Sequence, residues 1–251
     1  MTNETPHKEN FKYATIILKI QKVLIVIGSL LSLSLFAKFF FDKFKDIVCI
    51  IDLAICLISI FSVISEIMFS YFYQKAGEEK IKDLVNNSLN SKLSDNNSKG
   101  YYTNDEISYG LPKLGGNNFE SVFFTKSIVR KMIKKEAIFF GFVFFIYICS
   151  VLFLEKNILI IILQLLLPIQ IVKEFITLCL FHSKVKDIYE DYKKIYSTTT
   201  KNKRVPYIIK NIILYEKLLS NYSIMLSSRI YRKQNDKLSK EWNLIKIRYH
   251  I

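Results

Sequence analysis

The chain has no Walker loop, no G-x-S-x-G elbow, no H-E-x-x-H pair and no cysteine pairs at zinc spacing. The usual signatures of nucleotide hydrolysis, acyl transfer and metal-dependent chemistry are therefore missing. Its four cysteines, Cys49, Cys56, Cys149 and Cys179, all fall in apolar stretches, imply no disulfide framework and read as small packing residues. The three histidines, His7, His182 and His250, stand apart and form no catalytic constellation. Gly115-Gly116 is not followed by G-K-[ST] and reads as a turn rather than a phosphate cradle. No small-residue cleavage site follows Phe36, so the first apolar run reads as retained rather than removed as a signal peptide. The expectation is a non-enzyme with no cofactor and no metal.

What the chain has in abundance is apolar surface. Hydrophobic residues make up 51% of the 251, and the mean hydropathy is +0.21. They gather in four runs, at 16–40, 46–73, 137–154 and 158–182. A hydrocarbon core needs roughly 20 apolar residues per helix, with about 17 tolerated, so each run is long enough to cross. A soluble protein would have to bury all four, and the rest of the chain cannot supply the shell. The fold expected is all-α: a polytopic membrane protein with four transmembrane helices in two hairpins and a cytosolic helical bundle.

Lysine and arginine set the orientation. Four lie in residues 1–22, 11 in 74–137 and 16 in 182–251, so 31 of the 36 share one side if both termini and the central segment do. The positive-inside rule makes that side the cytoplasm, although Lys38, Lys43 and Lys45 fall in an outer turn. The net charge of +14 invites a nucleic-acid reading. Lysines that fix topology and attract anionic headgroups, at about 1 kcal/mol each near the surface, account for it more simply. The lipid bilayer is the expected partner and nucleic acid is not.

The organisation follows. Residues 1–73 form the N-terminal tail and first hairpin, with spans at about 16–38 and 47–72. Residues 74–136 form a cytosolic helix and loop, 137–182 the second hairpin with spans at about 137–154 and 158–180, and 183–251 a cytosolic helical tail. The second span reads on as helix through "YQKAGEEKIKDLVNNSLN" to a Ser/Asn/Asp/Gly cluster near "SKLSDNNSKG". "TNDE" offers Thr103 or Asn104 as a helix cap, and "NNFESVFFT" reads as a helix start capped by Asn117 or Asn118. Val185, Ile188, Tyr192 and Ile195 continue the fourth span at helical spacing. Ile208, Ile212, Tyr215, Leu219, Tyr222 and Leu226 repeat that spacing in the tail, and Leu238, Trp242, Ile245 and Tyr249 resume it.

Polar groups within the spans are the first candidate site. Glu66, Gln164, Gln170 and Glu174 lie there, with Pro168 between the glutamines. A proline frees a backbone carbonyl one turn earlier, and a broken helix with amides can line a polar path or hydrogen-bond across helices. Interface snorkelling accounts equally for Glu66 and Glu174. The second candidate is the loop Tyr101, Tyr102, Asn104, Asp105 and Glu106 together with the basic Arg130 and Lys131. Aromatics can stack on bases and cations meet phosphates, or the same residues can pack the loop while the cations grip lipid.

Two spans, a long cytosolic segment with "GYYTNDEISYG", "NNFESVFFT" leading into a basic helix and third span, then a fourth span and a helical tail, make up a recognisable layout. It resembles the four-transmembrane pore-forming effectors of bacterial nucleotide second-messenger defence systems. The resemblance spans nearly the whole chain in layout and residues 100–132 in motif. It implies an inner-membrane, signal-gated, membrane-permeabilising effector of abortive-infection antiviral defence, with a cyclic oligonucleotide as its trigger. One four-helix unit packs too closely to leave a lumen, so a pore requires a homo-oligomer or a rearrangement. A membrane-anchored scaffold that recruits a cytosolic partner through its C-terminal helix, without conductance, is the alternative. A secondary transporter is disfavoured, since no inverted repeat is visible.

Overall fold

In the computed structural model, residues 7–34, 45–93, 101–153 and 158–251 are described, and every regular element among them is helical. The helices are α1 (Lys8–Ser34), α2 (Lys45–Leu89), α3 (Leu111–Phe153), α4 (Ile158–Thr198), α5 (Val205–Tyr222) and α6 (Ser228–Tyr249), with a short 3-10 turn at Lys201–Lys203. The chain divides into two compact units. One comprises Met1–Glu9, Lys75–Ile138 and Glu174–Ile251, and the other Asn10–Gln74 and Phe139–Lys173.

The first unit is an ordinary packed bundle. The expected stripe on α4 is buried at Val185, Ile188, Tyr192 and Ile195, and it meets Phe119, Val122, Phe123 and Val129 of α3. Ile208, Tyr215 and Leu218 of α5, then Leu238 and Trp242 of α6, complete the core. Each such side chain contributes about 1.5–3 kcal/mol through burial, which is what fixes helices whose intrinsic propensities are modest. The tail stripes occupy two helices, not one. Ser223 adopts the left-handed conformation (φ 46°, ψ 39°) and donates its N–H to Leu219 O, ending α5, while the Ser227 hydroxyl accepts from Ile230 N to begin α6.

The start of α3 departs from expectation. It begins at Leu111, before both asparagines read as caps, and Thr103 and Asn104 lie in turns rather than capping a helix. Pro112 is tolerated because the first turn has no N–H bond to lose. The Gly115-Gly116 pair is helical instead of a turn, and packing supplies the reason. A Cβ on Gly115 would stand 2.8 Å from the Tyr196 hydroxyl and 3.0 Å from two Ile208 side-chain carbons. Contact with α4 and α5 at that distance offsets the roughly 1 kcal/mol that a glycine costs a helix. Gly115→Ala is therefore expected to destabilise the unit by about 1–3 kcal/mol through overpacking. Tyr196→Phe removes a buried hydroxyl that has no hydrogen-bond partner among the described residues. In a thermal melt it should cost little alone and partly rescue Gly115→Ala.

The second unit contains the antiparallel pair α1 and α2. Phe11 meets Tyr73 (ring centroids 5.9 Å), Tyr13 meets Phe72 (5.4 Å), and further along Gln21 donates to the Glu66 carboxylate. As α1 advances its partners on α2 retreat, which is a hairpin geometry. Ala14, Ile17, Phe69 and Tyr73 are buried in it. Among the described residues α2 alone is long and apolar enough to cross a membrane, and only 17% of its most apolar window is buried. Leu53, Leu57, Ile60, Phe61, Val63, Ile64, Ile67 and Met68 are all exposed. At 3.6 residues per turn they cover an arc of about 160°, where a soluble helix would be polar.

Candidate functional site: a polar clamp on the central loop

The loop before α3 is held by a buried polar network within the first unit. Gly110 opens α3 with φ +134°, a conformation that suits glycine, and its N–H donates to Ser88 O at 2.8 Å. That bond ties the loop to the end of α2. At the network's centre is Asn104, which is fully buried. Its Nδ2 donates to Asn117 Oδ1 (2.9 Å) and Glu120 Oε2 (2.8 Å), while its Oδ1 accepts from Trp242 Nε1 (3.1 Å). Asn117 Nδ2 in turn donates to Ser88 Oγ (3.0 Å).

Glu120 anchors the next residue as well. Thr103 donates its hydroxyl to Oε1 (2.8 Å) and its N–H to Oε2 (3.2 Å). Lys246 of α6 closes the outer side, donating to Thr103 O at 2.6 Å and pairing with Glu106. The hydrogen bond from Lys246 holds Glu106 below the usual glutamate range. One turn on, Tyr192 donates to Asn118 Oδ1 (2.7 Å), and Thr125 and Tyr215 share a hydroxyl bond of 2.7 Å. Asparagine in a helix is locally unfavourable, so α3 tolerates two because both bonds reach other helices.

Burial pushes the Glu120 carboxyl up to about 7, against the pull of the Thr103 and Asn104 hydrogen bonds and the Lys246 charge. An acid whose pKa rises on folding stabilises the fold fully below its unfolded value and loses that contribution as pH climbs through the folded value. The first unit should accordingly lose about 3 kcal/mol of stability between pH 5 and pH 8, at 1.36 kcal/mol per unit. Glu120→Gln keeps the shape and carries no charge, so its melting temperature should stay flat across that window and exceed the parent's at pH 8. A parent that melts at the same temperature at pH 5.5 and pH 8 would remove Glu120 from this role.

The expected loop residues are thus spread over different roles. Tyr102 is buried against Leu84 and Leu114, so neither ring face is open to a base, and Tyr101 lies edge-on to His7 (5.4 Å) and Tyr102 (4.8 Å). Asp105 is exposed and stands 3.9 Å from Lys113. Arg130 and Lys131 are exposed on α3, and Arg130 shares a neighbourhood with Lys126, Lys186 and His182. Burial, then repulsion from Arg130, Lys126 and Lys186, holds His182 below its usual value. Of the candidates in the apolar runs, Glu66 accepts from Gln21 and Glu174 is exposed. Gln164, Pro168 and Gln170 belong to α4, and their side chains lie outside the described residues.

Sequence reasoning missed Ser88, Asn117, Glu120 and Trp242 as members of one network. "NNFE" carried a signal, since three polar groups sit at the start of an otherwise apolar helical stripe, but it read as a cap. No family model, no characterised protein and no solved structure matches this chain.

Proposed function

We propose that the chain is a multi-pass membrane protein of four spans, both termini cytoplasmic, whose packed first unit governs a membrane-embedded second unit that permeabilises the bilayer on a signal. The observation that carries this reading is the exposed apolar arc on α2, which water cannot solvate cheaply and lipid or further copies of the chain would cover. The Gln21–Glu66 pair is a polar contact joining the two helices of that hairpin at its exposed edge, of the kind expected where helices must associate without a hydrophobic drive between them. The family resemblance supplies the rest: an inner-membrane effector of antiviral defence, working as a homo-oligomer and triggered by a cyclic oligonucleotide. The three basic stretches, 1–22, 74–137 and 182–251, then lie on one side of the membrane, as topology requires.

The test is release of a small dye from liposomes carrying the full chain, with a panel of cyclic di- and trinucleotides. Release triggered by one of them is the expected result. Silence across the panel from protein shown to be inserted and oligomeric would sink the permeabilising reading. The scaffold reading then stands, and one observation favours it: Leu244 and Ile247 of α6 are 67% and 71% exposed, an apolar edge on the C-terminal helix suited to a cytosolic partner.

A further inference from the structure

The first unit concentrates cations where α4 and the end of α6 come together. A cavity of about 520 Å³ is lined by Lys193, Lys194, Tyr196, Arg248, Tyr249 and His250, with Glu190 the acid among its lining residues. That acid is already engaged by Lys193 at 2.7 Å, so Lys194 and Arg248 face the groove without a carboxylate in its wall to neutralise them. More positive charge stands behind. Lys126 lies 3.2 Å over the Tyr189 ring, Lys193 sits above the same ring, and the charges of Arg130 and Lys186 reach Lys126. Burial first, then this crowding, holds Lys126 down to about 8 even though Glu190 pulls the other way.

Gathering like charges costs free energy that a bound anion would return. We propose that this groove binds a phosphate-bearing organic anion. Three features select that chemistry. At least two cations remain to be neutralised, which suits a dianion better than a lone carboxylate. Arg248 presents a planar fork matched to phosphate oxygens. The volume is that of a small-molecule site and exceeds what inorganic phosphate fills, while Tyr249 gives the rest of the ligand an aromatic wall.

Such an anion could be soluble or could be a lipid headgroup. On the proposed topology the fourth span ends near residue 180, which puts Lys193 about 20 Å further along α4 at 1.5 Å per residue. The headgroup layer is only about 5–8 Å thick on each side, so the groove fits a soluble ligand. As a binding site the groove stands whether or not the chain permeabilises membranes. As the entry point of a trigger it rests on that reading.

The experiment is hydrogen exchange on the full chain in nanodiscs, following residues 190–197 and 246–251. In phosphatidylcholine discs, added adenosine diphosphate should protect both segments, with apparent affinity falling as salt rises. Lys194→Gln with Arg248→Gln should weaken that affinity at least tenfold, and Lys217→Gln, outside the groove, should leave it unchanged. A second arm replaces phosphatidylcholine with phosphatidylglycerol and adds no nucleotide. Protection there alone, lost in the double variant, keeps the site and assigns it to lipid. Protection in neither arm, or protection indifferent to the double variant, overturns the proposal. Binding without dye release fails the permeabilising function alone, and dye release without protection here fails the site alone.

Discussion

Trp242→Ala is expected to unfold the first unit at temperatures where the parent is native. The indole is fully buried, lies edge-on to Phe119 at 5.3 Å and stacks near Phe123 at 6.1 Å. Truncating a buried aromatic costs about 3–5 kcal/mol through lost transfer energy and the cavity left behind. The loss here exceeds packing, because Trp242 Nε1 is the donor to Asn104 Oδ1. Without it a buried acceptor at the centre of the clamp goes unpaired, at about 1–3 kcal/mol. The melting temperature should fall by roughly 10 °C or more for a unit of this size. Trp242→Phe keeps one ring of the indole and loses the N–H, so it should cost less than Trp242→Ala: about 1–3 kcal/mol for the unpaired acceptor, plus a smaller cavity. Loss of hydrogen-exchange protection in α5 and α6 on heating reads this unit apart from the second, which carries tyrosines of its own, Tyr13 and Tyr73 among them. Because Trp242 is the chain's sole tryptophan and is fully buried, the parent's emission should be blue-shifted and report the clamp directly. A Trp242→Ala protein that melts within a degree or two of the parent would mean that the clamp does not hold the bundle.

The helices were legible because their signals are periodic and local. Val185, Ile188, Tyr192 and Ile195 recur at helical spacing, and all four are buried. The extension of α2 to Leu89 was legible because charges enter the pattern without a breaker. The clamp was not. Its key bond joins Asn104 to Trp242, 138 residues apart, and no local pattern encodes which distant donor an asparagine will meet. Asn117 and Asn118 carry the composition of a cap, and a cap satisfies the same valences as an interhelical bond. Only the close approach at Gly115, which lets α3 begin earlier, decides between the two. The basic groove escaped notice for a related reason. Arg130 and Lys131 stood out as a run, whereas Lys186 and Lys193, two of the three cations that crowd Lys126, come from α4, some 60 residues on. A charge cluster assembled by packing leaves no run in the sequence.

On the proposed topology, Leu57→Lys, Ile60→Lys and Ile64→Lys together should prevent α2 from crossing. The three side chains share the exposed apolar arc, at 48%, 51% and 46% exposure. Lysine at the centre of a spanning helix costs about 2.5–3.5 kcal/mol on insertion scales, so three sum to roughly 9 kcal/mol. Glu66, two residues beyond Ile64, already accepts from Gln21. Insertion is read by placing a single thiol at Lys43→Cys in an otherwise cysteine-free chain and adding an impermeant maleimide from the extracytoplasmic side. The parent should label, and the triple-lysine variant should not. Ile209→Lys, Ile213→Lys and Leu244→Lys, at exposed apolar positions of the first unit, should label like the parent. This control matters because adding three positive charges alone could disturb orientation through the positive-inside rule. If the variant on α2 labels as well as the parent, the arc does not face lipid. Further protein must then cover it, and the second unit would be an oligomer interface instead of a membrane span.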